Sequence, residues 1–433
     1  MNSYYDYKDS GAPWLGNVPV HWKMERAKWH FSTRNERGNS EPVLLAATQK
    51  NGMYPQEKVD GVVKVADGTD IQQFKTVHKG DFVISLRSFQ GGFERSDYEG
   101  VCSPAYQVFF ADQTVWDNDY LRFLFKDVHF IDAMNSLTVG IREGRNIKYE
   151  DFANSLIAIP PIDEQAAIAS FLKKLTQEVD AVISDAKASI EEYKAWKASI
   201  IYEAVTKGLD QNAEMKESGN PWIGKIPLDW RVCKTLFVLS MPITDGPHTT
   251  PDLFDEGVPF VSAEAVSCGN GLIDFDHIRG YISEDFYQEC CLKYIPKKND
   301  IYMIKSGATT GRVSYVDTDI KFTIWSPLAV FRANEKIMHF KYLFYFLQSD
   351  AYQKQVELGW TYGTQQNIGM RTLETLKLCL PPKSTQIQIA DYLDQKCGVI
   401  DSLIQEKTDL IRDLEGYRKS LIFEVVTGKR RVF

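Results

Sequence analysis

Positions 168, 172, 175, 179, 182, 186, 189, 193, 196 and 200 hold Ile, Leu, Leu, Val, Val, Ala, Ser, Tyr, Trp and Ile. Steps of four and three alternate, a heptad stripe in which only Ser189 is polar. The stripe predicts one long helix, opened by Pro160-Pro161, since proline ends what precedes it and fits a first helical turn. A second stripe runs through Ile389, Leu393, Lys396, Ile400, Leu403, Lys407, Leu410, Leu414, Tyr417 and Leu421. Two lysines weaken it, with Ile404 and Ile411 flanking the gap. Each helix would be roughly 60 Å long at 1.5 Å per residue. A seam this long, written twice, predicts an antiparallel coiled coil that holds two lobes apart.

The blocks at about 23–160 and 231–381 have mixed patterning. DFVISL at 81–86 and DIYMIK at 300–305 read as short strands after a turn. VCSPAYQVFF and TIWSPLAVF each set Ser-Pro before an apolar, strand-like run. DNDYLRFLFKD and MHFKYLFYFLQSD read as amphipathic helices at the same place in each block.

The chain is duplicated throughout. SGAPWLGNVPVHW at 10–22 returns as SGNPWIGKIPLDW at 218–230, with Pro13/Pro221, Trp14/Trp222, Gly16/Gly224, Pro19/Pro227 and Trp22/Trp230 in register. The helical segments match at an offset of 221, through Pro160/Pro381, Gln165/Gln386, Asp180/Asp401, Glu203/Glu424 and Thr206/Thr427. Repetition on this scale implies two similar lobes. The scaffold repeats closely while the loops differ, as expected when one frame carries two binding specificities. Trp and Pro of the short motif are expected to pack, clamping a helix end.

Composition narrows the class. At 433 residues more than one domain is expected. No apolar run is long enough to span a membrane, and MNSYYDYKDSG does not read as a secretory signal. Seven cysteines without a CxxC pair point to reduced thiols in a cytoplasm and away from zinc. The net charge of −8 argues against a free-standing nucleic-acid binder. Block 23–160 holds 17 basic and 19 acidic residues and block 231–381 holds 15 and 17, so any positive face is local.

With the PxxW…W motif, the IPPIDEQAAIA and LPPKSTQIQIA helix starts and the W/Y-K/R-x-S-I/L-I-x-E-x-V-T helix ends, the chain resembles the specificity subunit of type I restriction-modification systems. GDFVISLRSFQGG and TDGPHTTPDLFDEGVPF extend the resemblance into the blocks, so it covers nearly the whole chain. Thr385-Gln386 stands where Glu164-Gln165 is typical, which puts one polar contact in question. The resemblance implies an α+β fold: two pseudo-symmetric α/β target recognition domains separated by two long helices forming an antiparallel coiled coil. The expected boundaries are 1–160 for the first recognition domain, 161–208 for the central helix, 209–381 for a linker and the second recognition domain, and 382–433 for the C-terminal helix. Each domain would read one half of a bipartite site in double-stranded DNA, and the coiled coil would set the gap. The resemblance also implies two methyltransferase subunits and endonuclease/translocase subunits as partners. This chain would be non-catalytic and without cofactor, while the complex would use S-adenosylmethionine, and ATP with Mg²⁺ for restriction.

Candidate DNA contacts follow from side-chain chemistry. In the first block, Arg87, Ser88 and Gln90 lie beside a Gly-Gly turn, and Arg and Gln suit guanine and adenine. GIREGRNIKY packs Arg142, Arg145, Asn146 and Lys148 into one loop, fit for phosphate or base contact. In the second block, TDGPHTTP carries Asp245, His248 and Thr249, and KSGATTGR carries Lys305, Thr310 and Arg312. The latter lacks the GxxxxGK[ST] pattern and following helix of a phosphate loop and reads as a DNA-facing hairpin. GWTYGTQQNI aligns with GIREGRNI through Asn146/Asn367 and Ile147/Ile368, and has Gln365 and Gln366 where the first block has arginines.

Two other readings compete. An autonomous methyltransferase needs a glycine-rich cofactor loop and a D/N-PP-Y/F motif, and a nuclease needs clustered carboxylates with a lysine on strands; neither pattern is present. A non-enzymatic coiled-coil adaptor with two peptide- or protein-binding lobes suits the acidic balance. Against it stand polar, Gly-flanked loops rich in Arg, Gln, Asn and Thr, since peptide grooves are typically apolar.

Overall fold

The structure, a computed structural model, describes residues 4–37, 43–49, 51–59, 71–86, 88–137, 147–361 and 366–432. The chain forms two compact units, one of Met1–Lys187 with Thr408–Phe433, the other of Ala188–Lys407. The division cuts both long helices, so each unit contains part of each.

The units share a four-stranded antiparallel sheet. In the first, the strand order is Phe31–Arg34, Gln107–Ala111, Phe82–Ile84, Glu94–Arg95. In the second it is Thr244–Asp245, Leu328–Phe331, Ile301–Ile304, Val313–Tyr315. The segments DFVISL and DIYMIK supply the equivalent third strands. The aspartate that opens each is buried and held by an arginine through two hydrogen bonds: Arg34 on Asp81 at 2.7 and 3.3 Å, Arg332 on Asp300 at 2.6 and 2.7 Å. Each aspartate also accepts the backbone N–H three residues earlier, from His78 and from Lys297. Such bidentate, charge-assisted pairs fix geometry as well as energy.

A second repeated element pairs Lys23–Arg26 with Leu156–Ile159, and Arg231–Lys234 with Lys377–Leu380. The units differ in what is added. The first carries the hairpin Leu45–Thr48/Gly52–Pro55 and the pair Lys75–Val77/Gly100–Cys102. The second carries a three-stranded sheet of Gly280–Ile282, Val258–Val261 and Thr323–Ile324, with helices Ala263–Cys268 and Glu284–Cys291. The first core is a cluster of aromatic rings, among them Phe31, Phe82, Phe93, Phe109, Phe125 and Phe152, packed mainly tilted or edge to face. The second is built on Tyr342, Leu343, Phe346 and Tyr352.

The long helices are Ile162–Lys207 and Lys383–Val426. Their pairing is antiparallel, and a repeated ion pair records it. Arg418 meets Asp180 at 2.5 Å in the first unit; Lys197 meets Asp401 at 2.6 Å in the second. These are the same two positions of the repeat with the helices exchanged. The buried stripe departs from a strict heptad. Val182 and Trp196 are exposed, Ile183 is buried in place of Val182, and Cys397 is buried in place of Lys396. A straight helix of 3.6 residues per turn drifts about 20° per heptad, so the buried position slips by one residue.

Each helix start is anchored by a fully buried glutamine. Gln165 Nε2 donates to Val115 O and Pro160 O, both at 2.9 Å, while Asp117 N–H donates to its Oε1 at 2.9 Å. Gln386 repeats the set with Ile337 O, Pro381 O and the His339 N–H. Asp117 and His339 are the N-caps of helices Asn118–Leu124 and Phe340–Gln348. Tyrosines from those helices return to the long-helix ends, Tyr120 OH donating to Val426 O at 2.8 Å and Tyr342 OH to Val205 O at 3.0 Å.

The second Trp and Pro of each duplicated motif are buried and clamp a helix end, whereas Pro13, Pro221 and Trp222 are exposed and Trp14 is half-buried. Each copy begins as a hairpin, Tyr7–Asp9 with Asn17–Pro19 and Met215–Glu217 with Lys225–Pro227. Trp22 packs against Gly428 and Trp230 against Gly208, the glycines ending the helices at φ +73° and +78°. A Cβ on Gly428 would lie 2.5 Å from Pro19 and 2.9 Å from Trp22, so the left-handed helix cap and the close approach both select glycine. The Glu/Thr departure has a local consequence. Glu164 accepts from Trp22 Nε1 at 2.9 Å and meets His21 Nε2 at 2.7 Å, whereas Thr385 makes no such bonds among the described residues.

Candidate nucleic-acid interface

In the second unit three sequence-predicted loops converge. Lys305–Arg312 connects strands Ile301–Ile304 and Val313–Tyr315, so KSGATTGR is a hairpin connection followed by a strand, with no phosphate-loop helix. Gly307 N–H donates to Gln366 O at 3.0 Å, and Ile368 N–H donates to Lys305 O at 2.9 Å, laying Gln366 and Asn367 along the hairpin. Thr310 Oγ1 closes the turn on Gly307 O at 2.7 Å; Gln366, Asn367 and Arg312 are exposed, and Arg312 Nη1 donates to Ser267 O at 3.3 Å.

The TDGPH loop joins them through Asp245. Its side chain is 1% exposed, yet it meets Lys305 and His248 at 3.3 Å each and is ion-paired with Lys293. Burial acts to raise this carboxyl, but Lys293 and Lys305 outweigh it and hold it below the usual carboxylate range. Asp245 thus organises two lysines and a histidine from beneath the surface, while His248 and Thr249 stand in solvent. Gly246 is needed next to it, because a Cβ there would fall 1.9 Å from Ile324 O.

In the first unit the corresponding connection is residues 85–93. Ser88–Gly91 forms one helical turn, with Ser88 buried and Gln90 exposed. Lys126 Nζ bonds Gly91 O at 2.7 Å and pairs with buried Glu94 at 2.6 Å. Burial outweighs the attraction of Lys126 and pushes the Glu94 carboxyl up to about 7. Lys148 is exposed at the N-cap of helix Tyr149–Asn154. Arg87, Arg142, Arg145, Asn146 and Gln365 lie outside the described residues.

Several supporting residues escaped the sequence reading. Gln353 Nε2 donates to Gly311 O at 2.9 Å and steadies the hairpin from helix Asp350–Leu358; Lys293 and Lys126 do comparable work. None carries a sequence signal, since each acts on a loop at least 35 residues away. Exposed Gln49, against which a Cβ on Gly91 would press at 2.9 Å, also borders the first loop. Among the described residues no group of His, Cys, Asp and Glu could hold a metal, and no helix is long and apolar enough to cross a membrane. All seven cysteines are free, and burial pushes Cys102 up to about 12 and Cys233 and Cys397 to about 11, far from a reactive thiolate.

One frame, used twice, with unlike polar loops at the same sheet connection, defines a two-headed specificity protein. The chain belongs to the type I restriction modification DNA specificity domain family, whose model matches it twice, over residues 27–192 and 247–412. It is a non-catalytic specificity subunit with two recognition domains, and the adaptor reading is not favoured. The type I restriction enzyme MjaVIII specificity subunit of Methanocaldococcus jannaschii is 26% identical over 407 residues, 90% of this chain and 89% of that one. A protein of the same organism assigned to the MjaX enzyme as its specificity subunit is 28% identical over 281 residues, 64% of this chain but only 59% of its own length. The EcoBI specificity subunit of Escherichia coli is 22% identical over 307 residues, 69% of this chain and 63% of that one. Among solved structures, a chain from a type I R-M system assembly is similar in fold, with TM-score 0.70, 16% identity, and 94% of this chain and 98% of that one covered. The HsdS subunit of Thermoanaerobacter tengcongensis gives TM-score 0.51 at 17% identity, with 95% and 98% covered.

Proposed function

We propose that each unit reads one half of a bipartite DNA target for a type I complex, through the 85–93 connection with Arg142, Arg145, Asn146 and Lys148 in one domain, and through 245–249, 305–312 and 365–367 in the other. One observation carries the reading: SLRSFQGG and KSGATTGR, singled out for their base-reading side chains, occupy the same connection of two equivalent sheets. In this reading the first recognition domain is 1–160, residues 209–381 are a linker and the second recognition domain, and the two long helices set the gap. Two methyltransferase subunits dock on the repeated frame, with endonuclease/translocase subunits joining for restriction. The complex uses S-adenosylmethionine, and ATP with Mg²⁺ for cleavage, in the cytoplasm.

With both blocks slightly acidic, the isolated chain is expected to bind DNA weakly and with strong salt dependence, the partners completing the site. The test is a genome-wide map of N6-methyladenine with and without this gene, in a host carrying the methyltransferase gene of the system. Loss of a bipartite motif with a fixed gap on deletion supports the reading; an unchanged map in a host whose methyltransferase is active refutes it. Inserting one helical turn in both long helices lengthens each by about 5 Å, which should change the gap by about 1–2 base pairs and leave both half-sites intact.

A further inference from the structure

Two of the loops on the second unit's polar edge meet at one turn, Trp325–Pro327. Its Ser326 N–H donates to Pro247 O in the TDGPH loop at 3.2 Å, and its Pro327 O accepts from the Lys305 N–H at 2.7 Å, where the hairpin begins. Over this turn lies a cation with no part in the site so far. Arg279 Cζ stands 4.0 Å from the centre of the Trp325 ring, within cation–π range. Strand Val258–Val261 sets both residues: Arg279 N–H donates to Phe260 O at 3.2 Å and Trp325 N–H to Val261 O at 2.9 Å. The chain beyond TDGPH passes beside them, since a Cβ on adjoining Gly280 would lie 3.6 Å from Leu253. Arg279 is exposed, and among the described residues its guanidinium has no hydrogen bond or ion pair. Asp274, five residues before it, is taken up by His277 and the Asp276 N–H. The cations of the neighbouring loops are also committed, Lys293 and Lys305 to Asp245 and Arg312 to Ser267 O.

We propose that Arg279 is a further DNA-contacting residue of the second recognition domain, held over the Trp325 ring so that its N–H groups meet a pair of acceptor atoms, on a guanine edge or a phosphate. This rests on the proposed function, which supplies the DNA. An aromatic ring holds the guanidinium by its charge and uses none of its five N–H donors. An ion pair would use them, as Asp300 uses those of Arg332. A fork positioned in advance also loses less entropy for each bond it forms. The first unit lacks this platform. In VCSPAYQVFF, Cys102 precedes Ser-Pro where TIWSPLAVF has Trp325, and Cys102 is buried and offers no ring. That difference is expected of a contact made by one recognition surface and not by the other.

The test uses the full-length chain with the methyltransferase subunit of its system, reading the N6-methyladenine map in cells and the affinity for the mapped site across salt concentrations. Arg279→Ala should weaken cognate binding by about 5-fold or more. If the acceptors belong to guanine, the methylated motif also relaxes at one position, in the half-site that changes when residues 305–312 are exchanged. Arg279→Lys, which keeps the charge without the fork, then relaxes it too. If they belong to phosphate, all sites weaken alike, the slope of log K against log salt falls by about one, and Arg279→Lys retains most of the binding. Either result supports the contact and identifies its source. Trp325→Leu tests the platform: it should weaken the wild type but add nothing in the Arg279→Ala background. Equal losses in both backgrounds would overturn the platform. Arg279 is exposed, so thermal unfolding of its variants should match the wild type. A motif, affinity and salt slope all unchanged in Arg279→Ala would overturn the proposal and leave the proposed function intact, as would relaxation confined to the other half-site. A wild type that restores no bipartite motif beside an active methyltransferase would instead refute the proposed function, and this inference with it.

Discussion

Replacing Gln165 by leucine isolates what anchors a recognition domain to its helix. The residue is wholly buried, and its amide satisfies three backbone groups: Asp117 N–H, Val115 O and Pro160 O. Leucine fills nearly the same volume and satisfies none of them. Three hydrogen bonds at roughly 1 kcal/mol each are lost, and a buried group left without a partner costs about 1–3 kcal/mol more. The carbonyls suffer less than the N–H, and added apolar burial returns about 1 kcal/mol. The net cost is about 3–4 kcal/mol, or about 6–16 °C in Tm for a unit of this size. Because two units need not unfold together, the assay should be hydrogen exchange resolved along the chain under native conditions. Gln165→Leu should lower protection in the first unit, including helix Asn118–Leu124 and the Val426 end that Tyr120 holds. Gln386→Leu should do the same in the second, through Phe340–Gln348 and Val205. A cost below about 1 kcal/mol, or a loss spread evenly over both units by either variant, would refute the reasoning.

The remaining predictions address charge. Asp401→Lys should destabilise the second unit by about 1–2 kcal/mol in urea melts, and adding Lys197→Asp should recover most of that, since the pair is only partly exposed. Glu94 titrates in the folded state near 7 against an ordinary 4.5, so folding favours its protonated form. Its contribution is therefore full below about 4.5 and lost as pH rises through 7, about 1–3 kcal/mol, and Glu94→Gln should flatten this part of the stability–pH profile. Asp245→Asn removes the anion beneath Lys293 and Lys305; it should increase proteolytic nicking within 305–312 and degrade only one half-site in the methylation map. Exchanging residues 305–312 and 365–367 for those of a relative with another target should change that half-site and leave the other and the gap as they were.

What the sequence disclosed follows from how local each signal is. The long helices were legible because a heptad stripe of ten positions, over 168–200 and again over 389–421, is too long for any other element, and the duplication exposed the common frame. The displaced seam at Val182/Ile183 was not legible, because a one-residue slip depends on the partner helix. Loop composition marked 245–250, 305–312 and 365–367 separately; their convergence on one edge depends on pairings such as Gly307 with Gln366, 59 residues apart. Nor could composition tell a solvent-facing polar side chain from a supporting one. Asp245 and Ser88 have base-reading chemistry but lie inside the fold, where Asp245 aims other side chains and Ser88 has no hydrogen-bond partner for its hydroxyl among the described residues.

That separation explains how one frame can serve two specificities. The groups that fix each domain to its helix are buried and repeated: the glutamine with its three backbone partners and the tyrosine on the opposite helix end; within each sheet, the buried aspartate that opens the third strand is held by a repeated arginine. Removing any of them strands a buried polar group at a cost of kilocalories. The side chains at the hairpin edge, His248, Thr249, Arg312, Gln366 and Asn367, are in or near solvent, where substitution usually changes stability by less than about 0.5 kcal/mol. The proposed reading chemistry can therefore drift without refolding the domain, whereas the supporting shell cannot. Gln386→Leu and Gln366→Ala test this in one unit: the first should cost stability and leave the recognised sequence unchanged in whatever protein survives, and the second should do the reverse. If Gln366→Ala destabilised the fold as much as Gln386→Leu, reading and scaffold would be a single network, and the two halves of the target could not have diverged independently on this frame.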